Sequence, residues 1–196
     1  CTSAAGDTRP RVILWADTSN NFFHPEVAHA AVEVLEAAGY RVDVPRERLC
    51  CGRPLYDHGM LTVAKRRLRE ILASLEDDIE AGVPVIGLEP SCVSVFRDEL
   101  LNFFPADPLA RKLSQQTLFL SEFLELEEKT VPAHLSGRVL VQPHCHHRAS
   151  LRLDDEIAVL KKLGVDATVL DSGCCGMAGA FGFDASHYDV SLKVGE

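Results

Sequence analysis

Two Cys-Cys-Gly triplets, Cys50-Cys51-Gly52 and Cys174-Cys175-Gly176, hold the reactive chemistry of this sequence. Thiolates are soft ligands that suit zinc and iron–sulfur clusters. The glycine after each pair lets the backbone turn tightly, or pass close to a bound group, without a Cβ in the way. Cys92 and Cys145 fall between the triplets, and His144, His146 and His147 surround Cys145. Imidazoles there could ligate a metal or donate hydrogen bonds to sulfur. A lone cysteine is most often a small buried hydrophobe. Cys50, Cys51, Cys92, Cys145, Cys174 and Cys175 together read instead as ligands of a metal or cluster. Cys1 lies in the polar stretch Cys1–Arg9 and stands apart from them.

The elements that must position these thiols read as strands alternating with helices. Val12–Trp15 is an apolar strand. Pro25 suits the first turn of a helix whose stripe is Val27, Ala31, Val34, Leu35 and Ala38, with Gly39 just past its end. Arg41–Val44 is the next strand. A long amphipathic helix follows, with Leu61, Ala64, Leu68, Ile71, Leu72, Leu75 and Ile79 on one face and Gly82 at its end. Its basic run Lys65-Arg66-Arg67 with Arg69 reads as a solvated face. Val85–Leu88 is a strand, Ser121–Glu128 a short helix, and Lys129–Ser136 a polar linker. Val139–Gln142 and Ala167–Leu170 are strands, separated by a helix carrying Ile157, Leu160 and Leu163, with Asp154 or Asp155 as its cap. This alternation predicts an α/β fold with parallel sheets flanked by helices. Ligands in such folds gather beyond the carboxyl ends of the strands. The cysteine loops fall there, and they are expected to converge there.

The order of features is also repeated. Arg11-Val12-Ile13-Leu14 aligns with Arg138-Val139-Leu140-Val141, and Leu35–Gly39 with Leu160–Gly164. Each match runs through a β-prone segment into a Cys-Cys-Gly triplet. The chain therefore reads as two pseudo-repeated halves, 10–128 and 136–196, the second cut short. The run Gly176–Gly182 lacks the Lys-Ser/Thr of a phosphate loop and reads as the turn that wraps a cluster.

A formal charge of −9 argues against nucleic acid and anionic membrane as main partners. No apolar run is long enough to span a membrane, and no export signal is visible. Seven cysteines, an odd number, fit metal-bound thiolates in a reducing compartment better than a disulfide framework. The expected location is cytoplasmic, or the inner face of the membrane.

Cys50-Cys51-Gly52, Glu89-Pro90-Ser91-Cys92, His144-Cys145-His146 and Cys174-Cys175-Gly176 together resemble the cysteine-rich CCG domain. That domain occurs twice in one of the subunits of heterodisulfide reductase. It also occurs in the iron–sulfur subunits of glycolate oxidase and anaerobic glycerol-3-phosphate dehydrogenase, and in L-lactate utilisation proteins. Cys50–Asp57 with Gly59-Met60-Leu61 looks closest to the C-terminal module of fused FAD-linked oxidases. The fullest family pattern is a leading Cys, then Cys-Cys-Gly, then Cys-x-x-Cys. Here Thr18 stands at the leading position and Glu89 at the first Cys of Cys-x-x-Cys. The last Cys-x-x-Cys would fall beyond Glu196. Neither half keeps the five-sulfur set, so the resemblance implies one site pooled from Cys50, Cys51, Cys92, Cys145, Cys174 and Cys175.

The resemblance implies an electron-transfer module with a [4Fe–4S]-type cluster. It would relay electrons from a flavin-linked 2-hydroxy-acid dehydrogenase to a quinone or other acceptor. FAD would sit only on a partner domain or subunit, beside a ferredoxin-like cluster domain. Any peripheral membrane or quinone contact would run through the full-length protein. Two alternatives stand beside it: a zinc-binding structural or interaction module, and a thiol–disulfide reductase of the heterodisulfide type using vicinal cysteines.

Overall fold

A computed structural model describes residues 7–129, 133–150, 153–179 and 181–196. The chain begins with β1 (Arg11–Leu14), α1 (Thr18–Phe22), α2 (Pro25–Ala37), β2 (Arg41–Asp43), α3 (Arg53–Asp57), α4 (Leu61–Ser74), α5 (Glu76–Glu80) and β3 (Val85–Gly87). It continues with α6 (Pro90–Ser94), a π-type turn (Val95–Glu99), α7 (Leu100–Phe103), α8 (Pro108–Gln116), β4 (Thr117–Phe119) and α9 (Leu120–Leu126). After these come β5 (Gly137–Val141), α10 (Cys145–Ser150), α11 (Asp154–Lys162), β6 (Val165–Val169) and α12 (Tyr188–Gly195).

Four strands form a parallel sheet in the order β2-β1-β3-β4, and β5 and β6 form a separate parallel pair. The α/β class expected from the alternation is therefore the one observed. Val12, Ile13 and Leu14 are all buried, because helices cover both faces of the central strand. Successive side chains point to opposite faces. Ile13 and Val85 join Leu68, Ile71, Ile79 and Phe96 on one side, while Val12, Leu14 and Ile86 join Leu35 and Phe123 on the other. Pro25 opens α2, and Gly39 follows its end at φ +95°.

The long helix expected from Leu61 to Ile79 is divided at Leu75, whose φ −104° and ψ 9° leave the helical region. The apolar stripe continues across the break, so Leu68, Ile71, Leu75 and Ile79 still reach one core. Lys65 and Arg69 do not simply face water, since both cations lie over the Phe104 ring, 5.1 and 5.6 Å from its centroid. Asp154 is the first helical residue of α11 rather than its cap, a position held by Leu153.

Tyr40, buried just before β2, donates its hydroxyl to Glu127 Oε2 at 2.8 Å and packs edge-on against Phe123. Burial and then the Glu127 carboxylate push its phenol up to about 12. This stabilisation is fully present below the unfolded phenol value of about 10 and is lost as pH rises through the folded value. Tyr40→Phe is expected to cost about 1 kcal/mol at neutral pH. Its urea midpoint should also fall less than the wild type's when pH is raised from about 10 towards 12.

Candidate metal or cluster site

A parallel sheet of order β2-β1-β3-β4 reverses its winding between β1 and β3, which opens a crevice at their carboxyl ends. Trp15, Asp17 and Thr18 follow β1 there, and Glu89, Pro90 and Cys92 follow β3. Asp17 is 2 % exposed and caps α1, accepting the Asn20 N–H at 2.9 Å. The turn that carries Thr18 is thereby fixed. Glu89 caps α6 by accepting the Cys92 N–H at 2.8 Å. Glu89, at the position where the resemblance expects a cysteine, therefore holds the backbone of the neighbouring thiol.

The first triplet reaches the same crevice from β2. Cys51 and Cys92 are buried, and their sulfurs lie 2.9 Å apart. Disulfide sulfurs lie about 2.05 Å apart, so these are two facing thiols. Half-buried Cys50 adjoins Cys51 in the triplet and shares a cavity wall with Thr18. The Cys51 contact, then burial, pushes the Cys50 thiol well up. At Cys51 the bond from Cys50 favours the thiolate, but the Cys92 contact and burial outweigh it and hold the thiol up. Crowded thiols of this kind give up their protons when a cation arrives to compensate the charge.

The remaining cysteines form a second set. Cys145 opens α10, with its sulfur 3.9 Å from His144 Nδ1, and the Cys174 sulfur accepts the Gly176 N–H at 3.4 Å. Cys145, Cys174 and Cys175 are exposed and line one cavity of about 490 Å³ with Gln142, His144 and Arg148. The two sets lie on neighbouring elements. Helix α6 packs on α10, and a Cβ placed on Gly179, past the second triplet, would stand 3.3 Å from Asp57 Oδ2 beside the first. Among the described residues, no three or more His, Cys, Asp or Glu side chains are grouped to hold a single metal ion. Cys1 lies outside the described residues, as does Ala180 within the glycine run.

The histidines divide. His144 is exposed beside Cys145, yet partial desolvation lowers its affinity for a proton while nearby Glu89 partly offsets this. His146 stacks on it at 5.4 Å. His147 turns away, buried against Phe119 with its ring centroid 4.6 Å distant, and serves packing. His58 is the exposed C-cap of α3.

Two arginines escaped notice in the sequence because neither is itself a sulfur or imidazole ligand. Arg53 follows Gly52 and reaches Glu99 Oε1 at 2.6 Å and Ser94 Oγ at 3.1 Å. It ties the first triplet to the helical segment that carries Cys92. Arg148, one turn after Cys145, donates to the Ser172 carbonyl at 3.1 Å and to Asp171 at 2.9 Å. It ties α10 to the loop entering the second triplet. A basic residue just after a cysteine motif, in a chain this acidic, was the available signal.

The triplet glycines share a left-handed conformation, φ +82° at Gly52 and φ +83° at Gly176. Their surroundings differ. A Cβ on Gly52 would meet Ala64 Cα at an ordinary 3.6 Å, whereas one on Gly176 would lie 2.0 Å from the Ser191 carbonyl oxygen in α12. Gly52→Ala should therefore cost only the backbone term, about 1–2 kcal/mol. Gly176→Ala should add overpacking of about 1–3 kcal/mol and push α12 off the loop. Hydrogen exchange across residues 188–195 would detect that release, which Gly52→Ala should not produce.

Residues 16–97, which include the first triplet and Cys92, match the cysteine-rich domain family CCG. The chain is 32% identical over 181 residues to lactate utilization protein A of Bacillus velezensis, covering 87% of this chain and 74% of that protein. It is 30% identical over 183 residues to lactate utilization protein A of Geobacillus kaustophilus, with the same coverage. One of the subunits of the anaerobic glycerol-3-phosphate dehydrogenase of Escherichia coli K12 is 30% identical over 180 residues, with 89% of this chain and 45% of the relative aligned. The chain thus spans less than half the length of that dehydrogenase polypeptide. With its paired triplets, the cysteine after β3 and these relatives, the chain belongs to the cysteine-rich CCG-domain family.

Proposed function

We propose that this chain is the electron-transfer module of an oxidoreductase and holds an iron–sulfur cluster of the [4Fe–4S] type. The observation that carries this reading is the buried Cys51–Cys92 pair, 2.9 Å apart at the switch point of a parallel sheet. Its relatives, named for lactate utilization and as part of a dehydrogenase, support a redox setting. Zinc has no redox chemistry and would serve that setting only structurally.

Cys50, Cys51, Cys92, Cys145, Cys174 and Cys175 would hold the group, which supplies one-electron transfer when bound. The chain contributes ligation, burial and position. Cys51 and Cys92 keep their side of the site dry, while Cys145, Cys174 and Cys175 leave the other side open towards a partner. Arg53 and Arg148 hold the cysteine-bearing segments in register. The segments 10–128 and 136–196 act as two related halves around one pooled site. The flavin and a 2-hydroxy-acid substrate belong to another domain or polypeptide in the cytoplasm, with a quinone or comparable acceptor at the inner face of the membrane. Among the described residues, no helix is long and apolar enough to cross a membrane.

The test is a redox titration of the anaerobically purified protein, followed by visible absorption. Reversible bleaching of a brown chromophore is expected. A colourless protein with stoichiometric zinc would overturn the reading. So would vicinal disulfides, revealed by a free-thiol count that rises with reductant and no bound iron.

A further inference from the structure

Trp15 stands at the carboxyl end of β1 and is 2 % exposed. Its backbone is pinned by a bond from its N–H to the Ile86 carbonyl at 2.8 Å. Its ring is pinned edge-on against Phe96, with centroids 4.8 Å apart at 88°. The indole N–H nevertheless has no hydrogen-bond partner among the described residues. A buried tryptophan N–H normally finds an acceptor, and leaving one unmade is costly. A ring this buried, packed edge-on against Phe96, keeps the N–H away from water.

The surroundings narrow the acceptor's chemistry. Trp15 belongs to the same packed cluster as Cys51 and Cys92. It also lines a cavity of about 300 Å³ with Thr18, Asn21, Leu49 and Cys50. Thr18 and Cys50 stand in the same wall. The orphan donor therefore belongs to a residue packed with the cysteines of the first site, where sulfur is the acceptor chemistry at hand.

We propose that the Trp15 indole N–H donates a hydrogen bond to sulfur of the group held by Cys50, Cys51 and Cys92, and raises its reduction potential. Trp15 is a positioning and tuning residue, not a ligand. This inference rests on the iron–sulfur reading above. Hydrogen bonds to sulfur stabilise the extra negative charge of the reduced state, so the donor favours reduction.

Trp15 is the single tryptophan of the chain, so indole-¹⁵N labelling marks one nitrogen. In the labelled, anaerobically reduced protein, electron–nuclear double resonance should show a ¹⁵N coupling to the paramagnetic centre. Trp15→Phe should keep iron and sulfide at the wild-type level per chain and lower the midpoint potential. Iron without ¹⁵N coupling, or an unchanged potential in iron-loaded Trp15→Phe, would overturn the assignment of Trp15 alone. Absence of iron from the wild type would overturn the functional reading and this inference with it. If Trp15→Phe does not fold, the coupling in the labelled wild type decides the matter.

Discussion

Cys51→Ser and Cys92→Ser are expected to lose nearly all bound iron, and Cys174→Ser to lose it as well. Removing a mere outer-shell partner costs roughly 10–100-fold in metal affinity, and loss of a direct sulfur ligand costs more. A hydroxyl is a poorer match for iron than a thiolate. The three variants differ in what else they disturb. Cys51 and Cys92 are buried in the core that contains Trp15 and Phe96, so a serine there also places a hydroxyl in an apolar setting, worth about 1–3 kcal/mol. Cys174 is exposed, and its serine variant should unfold in urea at the same midpoint as the metal-free wild type. Loss of iron from Cys174→Ser at unchanged stability would isolate the ligand role from the packing role. Iron contents at the wild-type level in all three would place the cofactor elsewhere.

Arg53→Met is expected to cost about 3–5 kcal/mol, the usual result of stranding one member of a buried ion pair. Arg53 and Glu99 are about one-tenth exposed, Arg53 reaches Glu99 Oε1 at 2.6 Å, and Glu99 Oε2 has no hydrogen-bond partner among the described residues. Met conserves most of the apolar stem, so the charge is what is removed. The double variant Arg53→Met, Glu99→Leu should recover most of the loss, because no buried charge then remains unpaired. Stability and site separate here too. The pair joins the first triplet to the segment carrying Cys92, so the double variant should regain its urea midpoint yet bind iron more weakly than the wild type. Equal stability of Arg53→Met and wild type would show that the pair is solvated and does no anchoring.

The legible part of this fold was the part with strong periodicity. Leu61 to Ile79 shows a clear helical stripe, and the strand at Val12 is a continuous apolar run, so both were found with ends correct within a few residues. The stretch from Val93 to Thr117 offered no single period, because α6, the π-type turn and α7 form one winding whose face shifts midway. Helix α8 did carry a signal, Asp107-Pro108, whose aspartate caps Leu109 and Ala110. Strand β4, three residues long, is set by pairing with β3 rather than by its own sequence. At the site, the cysteines were legible because adjacent thiols have few other uses. Their partition into Cys50–Cys51–Cys92 and Cys145–Cys174–Cys175 depends on which helices pack together. Trp15 and Arg53 take their significance only from burial and partners, which no local pattern encodes.

The most direct measurement is iron and acid-labile sulfide per chain in anaerobically purified wild-type protein, determined together with zinc. The account predicts iron and sulfide in roughly equal amounts and no stoichiometric zinc. A protein carrying one zinc per chain, with neither iron nor sulfide, would contradict it.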